Sequence, residues 1–207
     1  MNLSPSTTLW APVAKLEGLR PETRARSIYL PALAPFTPES WPLVGLLPVL
    51  DINGALVAAL AGRRAFRTAP PVAGVFACDP FLRPADMATA LLRVGIRQAV
   101  NLPTVQFFDG ESAAVLGSVG YKAEAEFRLL LRLEELGVAA MACVTSRAAA
   151  DLALGLGLRR ILLHPGLTPP PDPAAWWAGL AGHVAIEGGE AMAWRNQASS
   201  PRRRMRL

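Results

Sequence analysis

A ladder of polar and ionisable residues follows the apolar runs of this chain. Asp51 comes after Pro48-Val49-Leu50, Asp79 after Phe76-Ala77-Cys78 and Asn101 after Gln98-Ala99-Val100; Thr145 and Ser146 come after Ala142-Cys143-Val144. His164 follows Ile161-Leu162-Leu163, and Glu187 follows Val184-Ala185-Ile186. Carboxylates, an amide, hydroxyls and an imidazole gathered in one place supply acid/base groups for a small anionic or carbonyl substrate, with or without a divalent ion. Of the two histidines, His164 is the better candidate, because Pro165-Gly166 bends the chain just after it; His183, beside Gly182, reads as a surface or packing residue. The competing reading is that loops begin where strands stop, so that Asp or Asn there only caps the next helix. No Walker loop, G-x-G-x-x-G, H-E-x-x-H or cysteine cluster is written in the chain, which disfavours nucleotide hydrolysis, dinucleotide redox chemistry and structural zinc. No nucleophile elbow is present either, and a Ser or Cys nucleophile with a His partner stays open.

The ladder has chemical meaning only if the runs before it are parallel strands, because ligands bind where the loops at their carboxyl ends converge. The candidate strands are residues 27–33, 43–50, 72–78, 96–100, 138–144, 158–163 and, weakly, 183–186. None alternates cleanly between apolar and polar, as expected of strands covered on both faces. Between them lie stretches of helical period. Pro84 opens one that stops at Gly95, Tyr121 to Leu136 carries Phe127, Leu130, Leu131 and Leu133 on one side, and Asp172-Pro173 opens one through Trp176 and Trp177. Repeated strand-then-helix units predict a parallel α/β sheet, either a barrel or doubly wound. The predicted organisation is an arm over residues 1–24, an α/β domain over 25–194 and a disordered basic tail over 195–207.

The formal charge of +5 comes from 21 Lys and Arg against 16 Asp and Glu. Arg195, Arg202, Arg203, Arg204 and Arg206 sit in the tail with no acid beside them, and setting those five aside leaves 16 against 16. The body is neutral and shows no basic run, which argues against nucleic-acid binding by it. The tail reads as a solvated solubility aid or as a docking segment for an acidic partner. At 52% hydrophobic and 18% charged, 207 residues can bury a full core. Cys78 and Cys143 lie in apolar runs and read as reduced core residues, and no signal peptide precedes them, so a cytoplasmic location is expected. The one membrane candidate, residues 40–62, contains Asp51, Pro42 and Pro48. A mid-membrane Asp costs about 2.5 to 3.5 kcal/mol, so a non-spanning reading is preferred.

From Gly74-Val75-Phe76-Ala77-Cys78-Asp79-Pro80-Phe81 onward the chain resembles the phosphoenolpyruvate hydrolase-like TIM-barrel family, associated with phosphonopyruvate hydrolases. The stretch Gly95 to Val105 contains Asn101-Leu102-Pro103-Thr104, similar to that family's Asn-x-Pro-Thr turn, and Phe108-Asp109-Gly110 follows. Gly120-Tyr121-Lys122-Ala123-Glu124-Ala125-Glu126 is similar to a helix start of the family, and His164-Pro165-Gly166-Leu167-Thr168 to its His-x-Gly-Leu-Thr loop. The resemblance covers about residues 27 to 168. It implies a parallel (β/α) barrel of the phosphoenolpyruvate/pyruvate type, and the shortness of the chain implies one that is incomplete or open. A Gly-rich first strand and loop and the last two βα units of the family are missing. Pro169-Pro170-Pro171 stands where a Gly-Gly turn is expected, and prolines offer no N–H to an anion.

The resemblance implies a hydrolase or lyase acting on a small oxo acid. Asp79, Asp109 and His164 would be catalytic, Asn101, Thr104, Thr145 and Thr168 would bind substrate, and Asp79 or Asp109 would be the ligand of any divalent metal such as Mg²⁺. The alternative is a catalytically degenerate barrel kept as a binding or assembly subunit, a homo-oligomer or part of a larger complex. The missing units and the aromatics Trp176, Trp177 and Trp194 before the tail favour that reading.

Overall fold

The computed structural model describes residues 9–47, 50–168 and 170–194. The tail expected at residues 195–207 lies outside the described residues, as do Pro48, Val49 and Pro169. Seven parallel strands form the sheet: β1 (Leu9–Val13), β2 (Ser27–Tyr29), β3 (Val72–Val75), β4 (Gln98–Asn101), β5 (Ala139–Val144), β6 (Arg160–Leu163) and β7 (Glu190–Trp194). They follow one another in sequence order around a ring, and two residue pairs, Leu9↔Ala193 and Trp10↔Trp194, join β7 back to β1. The expected (β/α) barrel is present, and among the described residues it has seven strands where a full barrel of this architecture has eight.

Eight helices lie among the described residues: α1 (Pro21–Arg24), α2 (Trp41–Val44), α3 (Ile52–Ala61), α4 (Pro84–Arg93), α5 (Gly110–Ser118), α6 (Ala123–Glu135), α7 (Arg147–Gly155) and α8 (Pro173–Ile186). None is long and apolar enough to cross a membrane.

Side chains along each strand alternate in direction but not in polarity, because both faces of the sheet are covered. Ile28, Val72, Val100, Met141, Cys143, Leu162 and Met192 meet in one buried cluster inside the barrel. Their chain neighbours Tyr29, Ala73, Val75, Ala99, Ala140, Ala142, Val144, Ile161 and Leu163 belong to a second cluster with the helices. The outward alanines leave room for large helix residues such as Met87, Leu91, Phe127, Leu130 and Leu133, all fully buried. The α6 stripe ends at Gly137, whose φ of +88° is a conformation that costs glycine nothing. Val138 N–H then donates back to the Leu133 carbonyl at 2.9 Å, closing the helix.

Gly74 occupies a lumen position where a Cβ would come within 2.5 Å of Leu30 Cδ2 and 2.9 Å of the Leu102 carbonyl oxygen. Gly74→Ala is therefore expected to destabilise the barrel by about 1 to 3 kcal/mol, read as a lower urea midpoint. An unchanged midpoint would show that β3 can shift at no cost.

The structure departs from the sequence reading at four places. Residues 9–13, inside the stretch expected to be an arm, form β1 and complete the ring. The described part of the strand expected over 43–50 is not a strand: Leu43 and Val44 belong to the short helix α2, entered through Pro42, and residues 45–47 turn after it; prolines at 42 and 48 lack the N–H groups a sheet ladder needs. The strand expected over 27–33 is cut to Ser27–Tyr29 by Pro31, which opens a 3₁₀ turn. The weak strand at 183–186 is the end of α8. Asp172 caps that helix by accepting from Ala175 N–H at 2.9 Å, and the chain runs helical to Ile186 before the true strand starts at Glu190. Glu187 is consequently an exposed C-cap rather than a strand-end group.

Candidate functional site

Two side-chain assemblies occupy the carboxyl-end rim. The first is built on Asn53, in the first turn of α3 and 5% exposed. Its amide accepts from Phe76 N–H at 3.0 Å and donates to the Phe76 carbonyl and to Asp79 Oδ2, each at 2.9 Å. Asp79 Oδ1 accepts from Phe81 N–H at 2.9 Å. The loop after β3 is thus pinned to the start of α3, and Asp79 is held by one hydrogen bond on each oxygen. Asp51 caps α3 by accepting from Gly54 N–H at 2.7 Å, so here the capping role competing with a catalytic one is realised. Both carboxylates line an open cleft of about 870 Å³ together with Phe76, Arg83 and Tyr121.

The second assembly is buried and centres on Glu126 of α6, which has no solvent exposure. One carboxylate oxygen accepts from Val105 N–H at 2.8 Å. The other accepts from Thr104 Oγ1 at 2.6 Å, Asn101 Nδ2 at 2.8 Å and Gln106 Nε2 at 3.2 Å. Asn101 also ties into β5, donating to the Cys143 carbonyl at 3.2 Å and accepting from Cys143 N–H at 2.7 Å. Gln106 Nε2 donates to the same carbonyl at 2.9 Å, and its amide oxygen accepts from Thr145 N–H at 3.3 Å. Burial pushes the Glu126 carboxyl up to about 7, and the four donors only partly oppose that. Asn101 and Thr104, expected to orient substrate, are fully buried with their side chains committed to this network.

His164 follows β6 and is 4% exposed. Its Nδ1 accepts from Gly166 N–H at 3.0 Å, and its ring lies 4.6 Å, centroid to centroid, from that of Phe107. Burial lowers its pKa to about 3, so at neutral pH the imidazole is uncharged. Asp109 is exposed and precedes α5, Thr145 is half-buried, and Thr168 is exposed in the loop after His164. None of these three, nor His164, lines the Asp79 cleft. His183 pairs with Asp151 between α8 and α7, a packing role. Cys78 is pushed up to about 12, first by burial and then by Glu126, and Cys143 is raised by the same two causes, so neither is a thiolate at neutral pH. Among the described residues, no three His, Cys, Asp or Glu side chains group closely enough to hold a metal ion.

A family model described as phosphoenolpyruvate hydrolase-like matches residues 40–175, most of the chain. This protein belongs to the phosphoenolpyruvate hydrolase-like family. A curated relative, the uncharacterized protein y4oT of Sinorhizobium fredii (strain NBRC 101917 / NGR234), is 32% identical over 161 residues, which is 77% of this chain and 82% of the relative. The segment matching the phosphoenolpyruvate hydrolase-like family runs from α2 into α8. It contains Asn53, Asp79, the Glu126 network and His164, and leaves β1, β2 and β7 outside.

Sequence reasoning missed two residues that organise this site. Glu126 carried a usable signal: together with Leu130 and Leu133 it falls at i, i+4 and i+7 of the apolar stripe of α6, where a charged residue must be buried or break the pattern. Asn53 carried a weaker one, as a lone amide within the apolar run from Leu50 to Leu60.

Proposed function

We propose that the carboxyl-end cleft binds a small anionic oxo acid and that the protein acts on it as a hydrolase or lyase, with Asp79 as the acid/base carboxylate. The observation that carries this reading is the clamp on Asp79. A surface carboxylate has no need of a buried amide, yet Asn53, itself pinned to Phe76, and the Phe81 N–H fix this one at the edge of an open cleft. A carboxylate held in one orientation beside a bound substrate transfers a proton more effectively than a mobile one. Arg83 lines the same cleft and offers an anionic substrate one positive charge, against the three carboxylates of Asp51, Asp79 and Asp86 that line it too. Asp79 also suits a single ligand of Mg²⁺, which binds through one or two carboxylates and takes its other ligands from water and substrate. Asn101 and Thr104 act as positioning residues through Glu126, and His164 as a neutral wall of the rim; Asp109, Thr145 and Thr168 lie outside the cleft lining and have no part in this reading.

The test is a thermal-shift and turnover screen with phosphonopyruvate, phosphoenolpyruvate and oxaloacetate, each with and without Mg²⁺. A ligand at a hundredfold its Kd adds about 2.7 kcal/mol to the folded state, a readily measured shift. Asp79→Asn is expected to lower kcat/KM by about 10² to 10⁴ while the fold is retained. Silence across the whole panel would favour a degenerate barrel serving as a binding or assembly subunit.

A further inference from the structure

At the opposite, amino-terminal mouth of the barrel a cavity of about 330 Å³ reaches into the lumen. Its deep wall is Trp10, Met141 and Met192, three members of the lumen cluster, and its entrance carries Arg97, Arg160 and Glu190. Most basic side chains near this end are already engaged. Arg24 donates to the carbonyls of Thr68 and Ala69, Arg93 to that of Leu60 and Arg159 to that of Glu187. Arg97 and Arg160 differ: neither guanidinium makes a hydrogen bond or ion pair with a described residue. Arg160 opens β6 in register with Glu190 of β7, and Arg97 directly precedes β4. The entrance therefore carries two fixed positive charges and one negative, a net charge that complements a monoanion. Trp10 adds an indole N–H that is buried with no acceptor among the described residues.

We propose that this cavity is a second binding site, for a small organic monocarboxylate. The carboxylate is held by Arg97 and Arg160, in the paired geometry that guanidinium groups offer it, and the apolar body lies against Met141 and Met192. The lumen of such a barrel is ordinarily filled by its own side chains, so an apolar recess behind two arginines that pair with no described residue is a place a ligand can occupy. The site lies at the far end of the barrel from the Asp79 cleft and does not depend on the activity proposed there.

The experiment is calorimetric titration of the full chain with acetate, butyrate and hexanoate at constant ionic strength, with neutral butyramide as the control. Binding is expected to tighten severalfold with each added methylene until the recess is full. Arg97→Gln and Arg160→Gln should each weaken butyrate at least tenfold, with Arg160→Lys recovering part of the loss. If Arg160→Gln fails to fold, the exposed Arg97 position decides alone. No heat at about tens of millimolar carboxylate, equal binding of butyramide, or full binding by Arg97→Gln would each overturn the proposal. Loss of butyrate binding in Asp79→Asn would place the carboxylate at the rim and overturn it as well.

Discussion

Glu126→Ala is expected to lower the free energy of unfolding by roughly 3 to 5 kcal/mol, measured by urea denaturation at pH 7. The size follows from which donors are orphaned. Asn101 Nδ2 keeps the Cys143 carbonyl, and Gln106 Nε2 keeps both that carbonyl and Thr104 Oγ1. Val105 N–H and the Thr104 hydroxyl lose the acceptor they use, and each buried donor left unpaired costs about 1 to 3 kcal/mol. The void left by the side chain adds to that. Glu126→Gln separates the contributions: its carbonyl can still accept from Asn101 and Thr104, but its NH₂ then faces Val105 N–H, so a loss of about 1 to 2 kcal/mol is expected. A loss below about 1 kcal/mol for the alanine variant would mean that water replaces the carboxylate and that the network does not hold the β4 and β5 ends together.

The two assemblies show what the residues alone made legible. Strands β3, β4, β5 and β6 are short, largely buried runs dominated by apolar residues, and their position could be read because helix starts and stops bracket them. β1 could not. Leu9 to Val13 is five residues long, contains Pro12, and becomes a strand because β2 on one side and β7 on the other offer it partners. Ring closure is a property of sequence-distant pairing, which no local period records.

The strand-end rule found Asp79, Asn101, Thr145 and His164 but not the side of the wall on which each stands. Parity settles that: Ala99 packs with the helices and Val100 in the lumen, so Asn101 turns outward again, toward α6 and Glu126. His164 follows outward Leu163 and turns inward, onto Phe107 of the lumen cluster. Residues adjacent in the ladder therefore end in separate environments, and the chemistry expected of them as one set divides between a buried network and an open cleft.

Because of that division, stability between about pH 4.5 and 6.5 is expected to be nearly flat, with the flatness arising from two opposed titrations. His164 falls from an ordinary 6.5 to about 3 on folding, so its contribution is fully present above 6.5 and is lost as pH falls toward 3. Glu126 rises from 4.5 to about 7, so its contribution is present below 4.5 and is lost as pH rises through 7. Between the two ordinary values, unfolding takes up one proton at the histidine and releases one at the glutamate, and the slopes cancel. Glu126→Gln leaves the histidine alone, so the variant should gain about 1.4 kcal/mol of stability per pH unit across this window relative to the parent. His164→Asn leaves the glutamate alone and should lose the same amount per unit, tilting the other way. Both comparisons come from urea midpoints at pH 4.5, 5.5 and 6.5, where the remaining carboxylates contribute equally to all three proteins. A flat profile for Glu126→Gln would show that His164 titrates in the folded protein as it does in water, and a flat profile for His164→Asn would show the same of Glu126; parallel profiles for the two variants would remove the basis for reading either His164 as a neutral wall or Glu126 as the proton-holding centre of the rim.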